Sequence, residues 1–162
     1  MKKHQEVYNY LKQLNISFET HNHQAVFTID EAADAWATIE GMHCKNLFFR
    51  NKKGNQHYLV VLEGEKQLDI KNLEKVLGVG RLSFGSKERL EKQLQLLPGS
   101  VSPFGLINNT ENNVQVLIDA DVQKSKKVNF HPNDNTATIT LSAADFYTFL
   151  EAVGNPFKYI VI

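Results

Sequence analysis

One cysteine, one tryptophan, two methionines and four prolines in 162 residues leave several architectures without material. The lone Cys44 cannot form an internal disulfide, which excludes the disulfide-stapled secreted scaffolds; a reducing cytoplasm is the expected compartment. An excess of one charge is missing too. Lys plus Arg and Asp plus Glu stand at 18 each, so the chain is not built to coat a long nucleic-acid surface, while contact with a nucleic-acid end or a nucleotide stays open. The longest apolar runs, such as Tyr58 to Leu62 and Val114 to Ile118, are far too short to span a bilayer. Met1-Lys2-Lys3-His4-Gln5-Glu6 has no apolar signal core. No Gly-x-Ser-x-Gly elbow, P-loop or dinucleotide fingerprint occurs. His21, His23, His43 and His57 match no zinc spacing and have no cysteine pair beside them, so neither metal nor cofactor is expected.

What is present reads as one domain over residues 1–162. Apolar residues at 42% and charged residues at 22% suit a soluble globular core, and no repeat or linker divides the chain. Helical spacing of Val7, Leu11 and Leu14 predicts a helix over 4–14. A short strand is expected at Val26-Phe27-Thr28-Ile29, then a helix from Asp30 through Trp36. Strands from Asn46 to Arg50 and from His57 to Glu63 pair around the turn at 51–55. A helix over 69–77 closes on Gly78, a strand runs from Arg81 to Phe84, and Ser86 caps a helix to Leu94. Further strands are expected near 105–108, 114–118, 127–130 and 136–141. Ser142 and Asp145 open a helix that Gly154 stops, and Lys158 to Ile162 forms a last strand. Without regular βαβ alternation the fold class is α+β, or α/β with a mixed sheet, rather than a Rossmann fold.

Three segments carry candidate chemistry. Gly99-Ser100-Val101-Ser102-Pro103-Phe104-Gly105 joins glycines, which let backbone approach a ligand, to a stiffening proline. Such a loop can aim several N–H groups at a carbonyl oxygen, an attacking water or a phosphate. Lys45 precedes the apolar run Leu47-Phe48-Phe49; at a strand edge facing a cleft it would hold a phosphate or polarise a carbonyl, and otherwise it is a surface lysine. His131-Pro132 is a turn by default and a pocket wall if the fold brings it to the loop. Phe27, Trp36 and Phe104 have the rings to stack on a base, although aromatic residues at such spacing more often fill a core. Cys44 beside Lys45 is weighed as an activated thiolate, but a free cysteine is more often a small buried apolar residue.

Taken in order, Val26 to Ala32, Gly41 to Phe49, Gly80-Arg81-Leu82-Ser83-Phe84, Gly99 to Asn108 and Asn129 to Thr138 resemble the YbaK/prolyl-tRNA-synthetase-associated editing family, in particular its free-standing alanyl-tRNA(Pro) deacylase (PrdX-like) branch. The likeness covers nearly the whole chain. It implies a single compact domain with a mixed, curved sheet flanked by helices. It also implies hydrolysis of the ester between a wrong amino acid and the terminal adenosine of a tRNA, with no side-chain nucleophile and with help from the ribose 2′-hydroxyl. On this resemblance Lys45 holds the 3′ end, and Gly99, Ser100, Val101, Ser102, Pro103 and Gly105 form the catalytic loop, whose backbone donors position the carbonyl and the water. Asn46, Phe27, His131 and Phe104 contact substrate. Lys52, Lys53, Arg81, Lys87, Arg89, Lys126 and Lys127 are the candidates for phosphate. The implied partners are mischarged tRNA(Pro) and either prolyl-tRNA synthetase or an elongation factor. The alternatives are a deacylase for Cys-tRNA(Pro) or another small amino acid, and a module that binds tRNA or synthetase without catalysis.

Overall fold

A computed structural model describes residues 3–25 and 29–162, so the strand expected at 26–29 falls almost wholly outside the described residues. In chain order the elements are α1 (Lys3–Gln13), β1 (Glu19–Asn22), α2 (Ile29–Trp36), β2 (Met42–Asn51), β3 (His57–Glu63), α3 (Ile70–Leu77), β4 (Leu82–Phe84) and α4 (Lys87–Leu94). A 3-10 turn (Pro103–Asn108) follows, then β5 (Val114–Asp119), α5 (Ala120–Lys124), β6 (Lys127–Phe130), β7 (Ala137–Ser142), α6 (Ala143–Val153) and β8 (Phe157–Ile160). Local chemistry sets the helix ends. Asp69, Ser86 and Ser142 accept hydrogen bonds from the N–H groups of Asn72, Arg89 and Asp145, so each satisfies an orphan donor of the first turn. Gly78 and Gly154 close α3 and α6 at φ 66° and 87°, where a side chain would be strained.

The strands form one eight-stranded mixed sheet in the order β1-β7-β6-β2-β3-β5-β8, with β4 also on β2. The pairs β2–β6, β3–β5 and β5–β8 are parallel; β1–β7, β6–β7, β2–β3 and β2–β4 are antiparallel. One face packs on α1, α4 and α6 through Val7, Leu11, Leu90, Leu94, Phe146, Phe149 and Leu150. Over β2, β3 and β5 the opposite face packs on α3, through Leu73 against Phe49, Val60, Leu62 and Leu117. Burial on both faces explains why β3 reads as an apolar run instead of alternating.

Three expectations needed correction. The strand near 105–108 is a 3-10 turn, because Pro103 at its first position and the Ser102 cap start helical bonding. β1 and α5 were not foreseen: β1 (Glu-Thr-His-Asn) is polar, and α5 is only five residues long. No helix among the described residues is long and apolar enough to cross a membrane.

The far end of β5 is clamped by charge. Lys66 Nζ reaches both oxygens of Asp119 at 2.8 and 2.9 Å, Asp121 at 2.7 Å and the carbonyl of Ile162 at 3.2 Å. Asp119 is buried, and the ammonium is its countercharge. Lys66→Met is expected to lower unfolding free energy in urea by about 2–3 kcal/mol, below the usual cost of breaking a fully buried pair because Lys66 is partly exposed. Asp121→Asn, at a half-exposed carboxylate, is expected to leave the urea midpoint nearly unmoved.

Candidate active site

A gap in strand pairing marks the site. Along one edge β2 pairs with β3 from Cys44 to Arg50. Along the other, Met42 and His43 pair with β6, and Phe49 to Asn51 pair with β4. The Phe48 carbonyl accepts from Gly85 N–H at 2.9 Å, which leaves residues 44–47 with no strand on that side. The 99–105 loop is stitched across this region. Asn46 Nδ2 donates to the Val101 carbonyl at 3.3 Å, and Ser102 Oγ donates to the His131 carbonyl at 2.6 Å. Two sequence-distant candidates, the lysine motif and His131, are thereby joined through one loop.

The loop is stiffer and offers fewer donors than its sequence suggests. Gly99 turns the chain at φ 89°. Ser100 N–H bonds to Leu97 O, Phe104 N–H to Ser102 Oγ, and Gly105 N–H to Ser102 O. Pro103 has no N–H to give. The N–H groups that this internal bonding does not consume include those of Val101 and Ser102. Gly105 is there for packing, since a Cβ would stand 2.6 Å from Leu96 Cδ1 and 3.1 Å from Leu94 Cβ. Phe104 is likewise corrected: it is fully buried, edge-on to Phe130 and Phe149 in the core, and presents no ring to a substrate. Phe27 lies outside the described residues.

Strand alternation places Lys45 and His43 on the face that α3 covers further along, and Asn46 and Cys44 on the other. Beyond α3 that face turns polar. Asn129, Thr138 and Thr140 are buried there, whereas Val128, Phe130, Ile139 and Leu141 point into the main core. Asn129 Nδ2 donates to the Glu40 carbonyl at 2.9 Å and stands 3.2 Å from His43 Nδ1, while its Oδ1 accepts from Thr140 Oγ1 at 2.6 Å. Because Nδ2 can only donate, His43 Nδ1 is the acceptor and its proton sits on Nε2. Trp36 stacks on the His43 ring at 4.7 Å, nearly parallel. Near it lies His131, whose Nδ1 donates to the Ala137 carbonyl at 3.0 Å, so that Nε2 is the acceptor of the neutral ring. His23 faces His131 at 6.2 Å and bonds Thr138 Oγ1.

Electrostatics assign roles by elimination. Burial pushes the Cys44 thiol well above its usual range, and the charges of Asp119 and Glu63 add to this; its Sγ is 3.6 Å from the Met42 carbonyl, and the thiolate reading fails. Burial also holds His43 and His131 below the ordinary imidazole value, and the carbonyls of Ile39 and Trp36 (for His43) and Ala137 (for His131) only partly offset it. Lys45 is the cation of this strand segment, and no described carboxylate pairs with it. Four buried side-chain polar atoms have no hydrogen-bond partner among the described residues, and two of them lie here: Asn46 Oδ1 beside the loop and Trp36 Nε1 beside His43. Trp36, His43, Asn129 and Thr140 were missed as a group. The one available signal was alternation, with Asn129, Thr138 and Thr140 at every second position of otherwise apolar strands.

Two outcomes follow. Ser102→Ala removes a buried hydroxyl that both donates and accepts, and is expected to lower unfolding free energy by about 1–2 kcal/mol in urea titration. Burial holds His43, His57 and His131 below the ordinary imidazole value of about 6.5, so the unfolded chain binds more protons just below that pH. Stability is therefore present above pH ~6.5 and lost as pH falls through the folded values. Urea midpoints measured from pH 7.5 to 5 are expected to decline, and His131→Asn to shallow the decline; a flat profile contradicts neutral imidazoles.

Comparison with known proteins identifies the family. The profile of the aminoacyl-tRNA editing domain matches residues 23–149. The prolyl-tRNA editing protein ProX of Acetoanaerobium sticklandii is 41% identical over 150 residues, covering 93% of this chain and 92% of the relative. The prolyl-tRNA synthetase associated domain-containing protein 1 of Mus musculus is 34% identical, covering 90% and 88%. A crystal structure described as a candidate trans-editing enzyme for prolyl tRNA synthetase superposes with a TM-score of 0.73 over 100% of this chain and 98% of its own, at 20% identity, and so shares the fold. The chain belongs to the aminoacyl-tRNA editing domain family, whose members are hydrolases of aminoacyl-tRNA.

Proposed function

We propose that this chain clears mischarged tRNA(Pro) in trans, with the alanyl ester as its substrate. The observation that carries the proposal is the unpaired stretch of β2 that holds Lys45 and Asn46, with Asn46 bonded to the Val101 carbonyl of the loop. The name of the 41% identical relative supports the tRNA(Pro) identity.

The chemistry needs no protein nucleophile. Ser102 Oγ is committed to the His131 carbonyl and the Phe104 N–H, and Cys44 is a buried thiol. Water attacks the ester carbon. Its oxygen forms the new C–O bond of the free amino acid, the bond to the 3′ oxygen breaks, and the proton passes to that oxygen with the neighbouring 2′-hydroxyl as relay. The N–H group of Val101, on the half-buried part of the loop, faces the charge developing on the carbonyl oxygen. A preorganised donor of this kind is worth about 3 kcal/mol in the transition state. Lys45 grips the terminal phosphate, where an ammonium acts as a point charge. Asn46 Oδ1, an acceptor without a donor, receives one from the α-ammonium or the attacking water.

Selectivity for alanine follows from size. A proline site rejects alanine weakly, because a missing methylene is worth only about 1–3 kcal/mol. A second pocket, too tight for the proline ring, removes the smaller product. Delivery of the tRNA by prolyl-tRNA synthetase or an elongation factor belongs to the same reading.

The test is incubation of purified protein with Ala-tRNA(Pro), Cys-tRNA(Pro) and Pro-tRNA(Pro). Cleavage of the alanyl ester is expected, with intact Pro-tRNA(Pro) and about a 100-fold lower rate for Lys45→Ala. Cys44→Ala is expected to stay within a few-fold of wild type. Preferred hydrolysis of the cysteinyl ester would replace alanine in the proposal, and intact esters throughout would overturn it.

A further inference from the structure

The sheet ends on β8, and the outer edge of that strand is open. Val116 N–H donates to the Pro156 carbonyl at 2.9 Å, and Phe157 stands opposite Val116 in the parallel pair. Alternate residues of a parallel strand turn their backbone groups to the same neighbour. Pro156, Lys158 and Ile160 therefore face β5, while Phe157, Tyr159 and Val161 face outward. The outward N–H and C=O groups of those three make no hydrogen bond among the described residues. Natural edges are blunted by charge, proline or shortness. β1, at the opposite edge, is the polar run Glu-Thr-His-Asn, and β4 is three residues long. On β8 neither Pro156 nor Lys158 blocks the edge, because both turn their backbone to β5.

Apolar surface flanks the open edge. Tyr147 of α6 is 41% exposed, stands edge-on to Phe157 and lies parallel to Tyr159 at 6.5 Å, and Val161 is 85% exposed. Beyond Tyr159 a groove of about 510 Å³ opens between Tyr159, Tyr147, Ser125 and Lys126. The charges beside this edge are arranged head to tail. α6 turns directly into β8 and so runs back along it. Ala143 N–H bonds the Lys126 carbonyl, which sets Lys126 at the start of α6, by the Ile160 end of the strand. Glu151 lies one turn after Tyr147 on the same flank, toward the Phe157 end. The two charges stand about 12 Å apart along α6, at ~1.5 Å per residue. Both are exposed, and neither has a charged partner among the described residues.

We propose that β8 is the seam of a symmetric homodimer, paired antiparallel about Tyr159 and closed at both ends by Lys126–Glu151 ion pairs between the copies. An antiparallel partner must meet outward residues with outward residues. Centring the pair on Tyr159 sets Phe157 opposite Val161 of the second copy, and every outward N–H and C=O of the three residues finds a partner. Lys158 then lies opposite Ile160. Centring it on Lys158 would set that lysine against its own copy, and like charges directly opposite are destabilising. The two-fold axis also exchanges the ends of the strand, so it carries Lys126 of each copy to Glu151 of the other. A chain with no net charge adds no overall repulsion between copies. The seam lies three strands from β2, leaves the active-site edge free and does not rest on the deacylase reading. About five residues a side make a small interface, under ~1,200 Å² in total, and its Kd is expected to be micromolar.

The test is sedimentation velocity on the purified protein from about 2 to about 400 µM, a range that brackets a micromolar Kd. Wild type is expected to pass from one copy to two across it. Val161→Pro removes an outward N–H that no internal bond uses, at an exposed position, and is expected to weaken the dimer about tenfold or more. Lys126→Glu and Glu151→Lys each set like charges together at both ends of the seam, and each is expected to weaken it roughly fivefold. An equimolar mixture of those two variants is expected to pair as tightly as wild type, because unlike charges meet again at both ends. Recovery on mixing also shows that both variants fold. A wild type that stays a single copy at the highest concentration overturns the proposal and leaves the edge to an extended segment of another protein. A dimer that neither Val161→Pro nor the charge reversals weaken overturns it as well, since that dimer uses another face.

Discussion

The molecule depends on one strand keeping three sets of partners. β2 is ten residues long, and its two ends are bound on one edge by different strands, β6 in parallel and β4 in antiparallel. Bare backbone between them would cost a hydrogen bond per unsatisfied group if it were buried away from water. The fold fills that span with a loop and side chains instead of a strand. Asn46 reaches Val101, and Ser102 ties the loop to the end of β6. An interruption in the sheet is thus where backbone N–H groups can face a ligand, and the rest of the molecule keeps that interruption from closing.

Rigidity around the gap comes from polar groups that are nearly all spoken for. Asn129 holds Glu40, His43 and Thr140 at once, and His131 is held by the Ala137 carbonyl. Burial keeps both imidazoles neutral, so Lys45 is not opposed by a second charge on its face of the strand. In low dielectric surroundings one uncompensated ammonium has a long reach. Of the atoms left unpaired, Asn46 Oδ1 is an acceptor beside the loop and Trp36 Nε1 a donor beside His43.

Most of the architecture was legible because its signals are local. The caps at Ser86 and Ser142 and the stops at Gly78 and Gly154 were readable residue by residue, and the structure places a helix at each. The 3-10 turn was not, since Phe-Gly-Leu-Ile has the composition of a strand and only the Ser102 cap and Pro103 reveal its bonding. At the site, Lys45, Asn46, the loop and His131 were visible as motifs, and the structure draws the loop to Asn46 and to His131. The uses of the loop residues were not visible. Whether Phe104 faces a ligand or the core, and whether Gly105 gives a donor or merely room, depends on Leu94, Leu96, Phe130 and Phe149, which arrive from elsewhere in the chain.

On the proposed mechanism an editing domain works without a reactive side chain. A serine or thiolate nucleophile would attack any ester that entered, so selection would rest on the entrance alone. When only backbone dipoles and one ammonium act, rate depends on placing the carbonyl, the water and the 3′ oxygen together within a few tenths of an ångström. On the proposed mechanism, an ester whose side chain shifts the carbonyl loses the Val101 donor at the same moment as it loses fit. Fit and catalysis become one quantity, and discrimination appears in the chemical step as well as in binding. The proposed arrangement tolerates no slack in the loop, and its proline, its capped turn and its glycine without room for a Cβ all serve packing that holds the loop backbone in place.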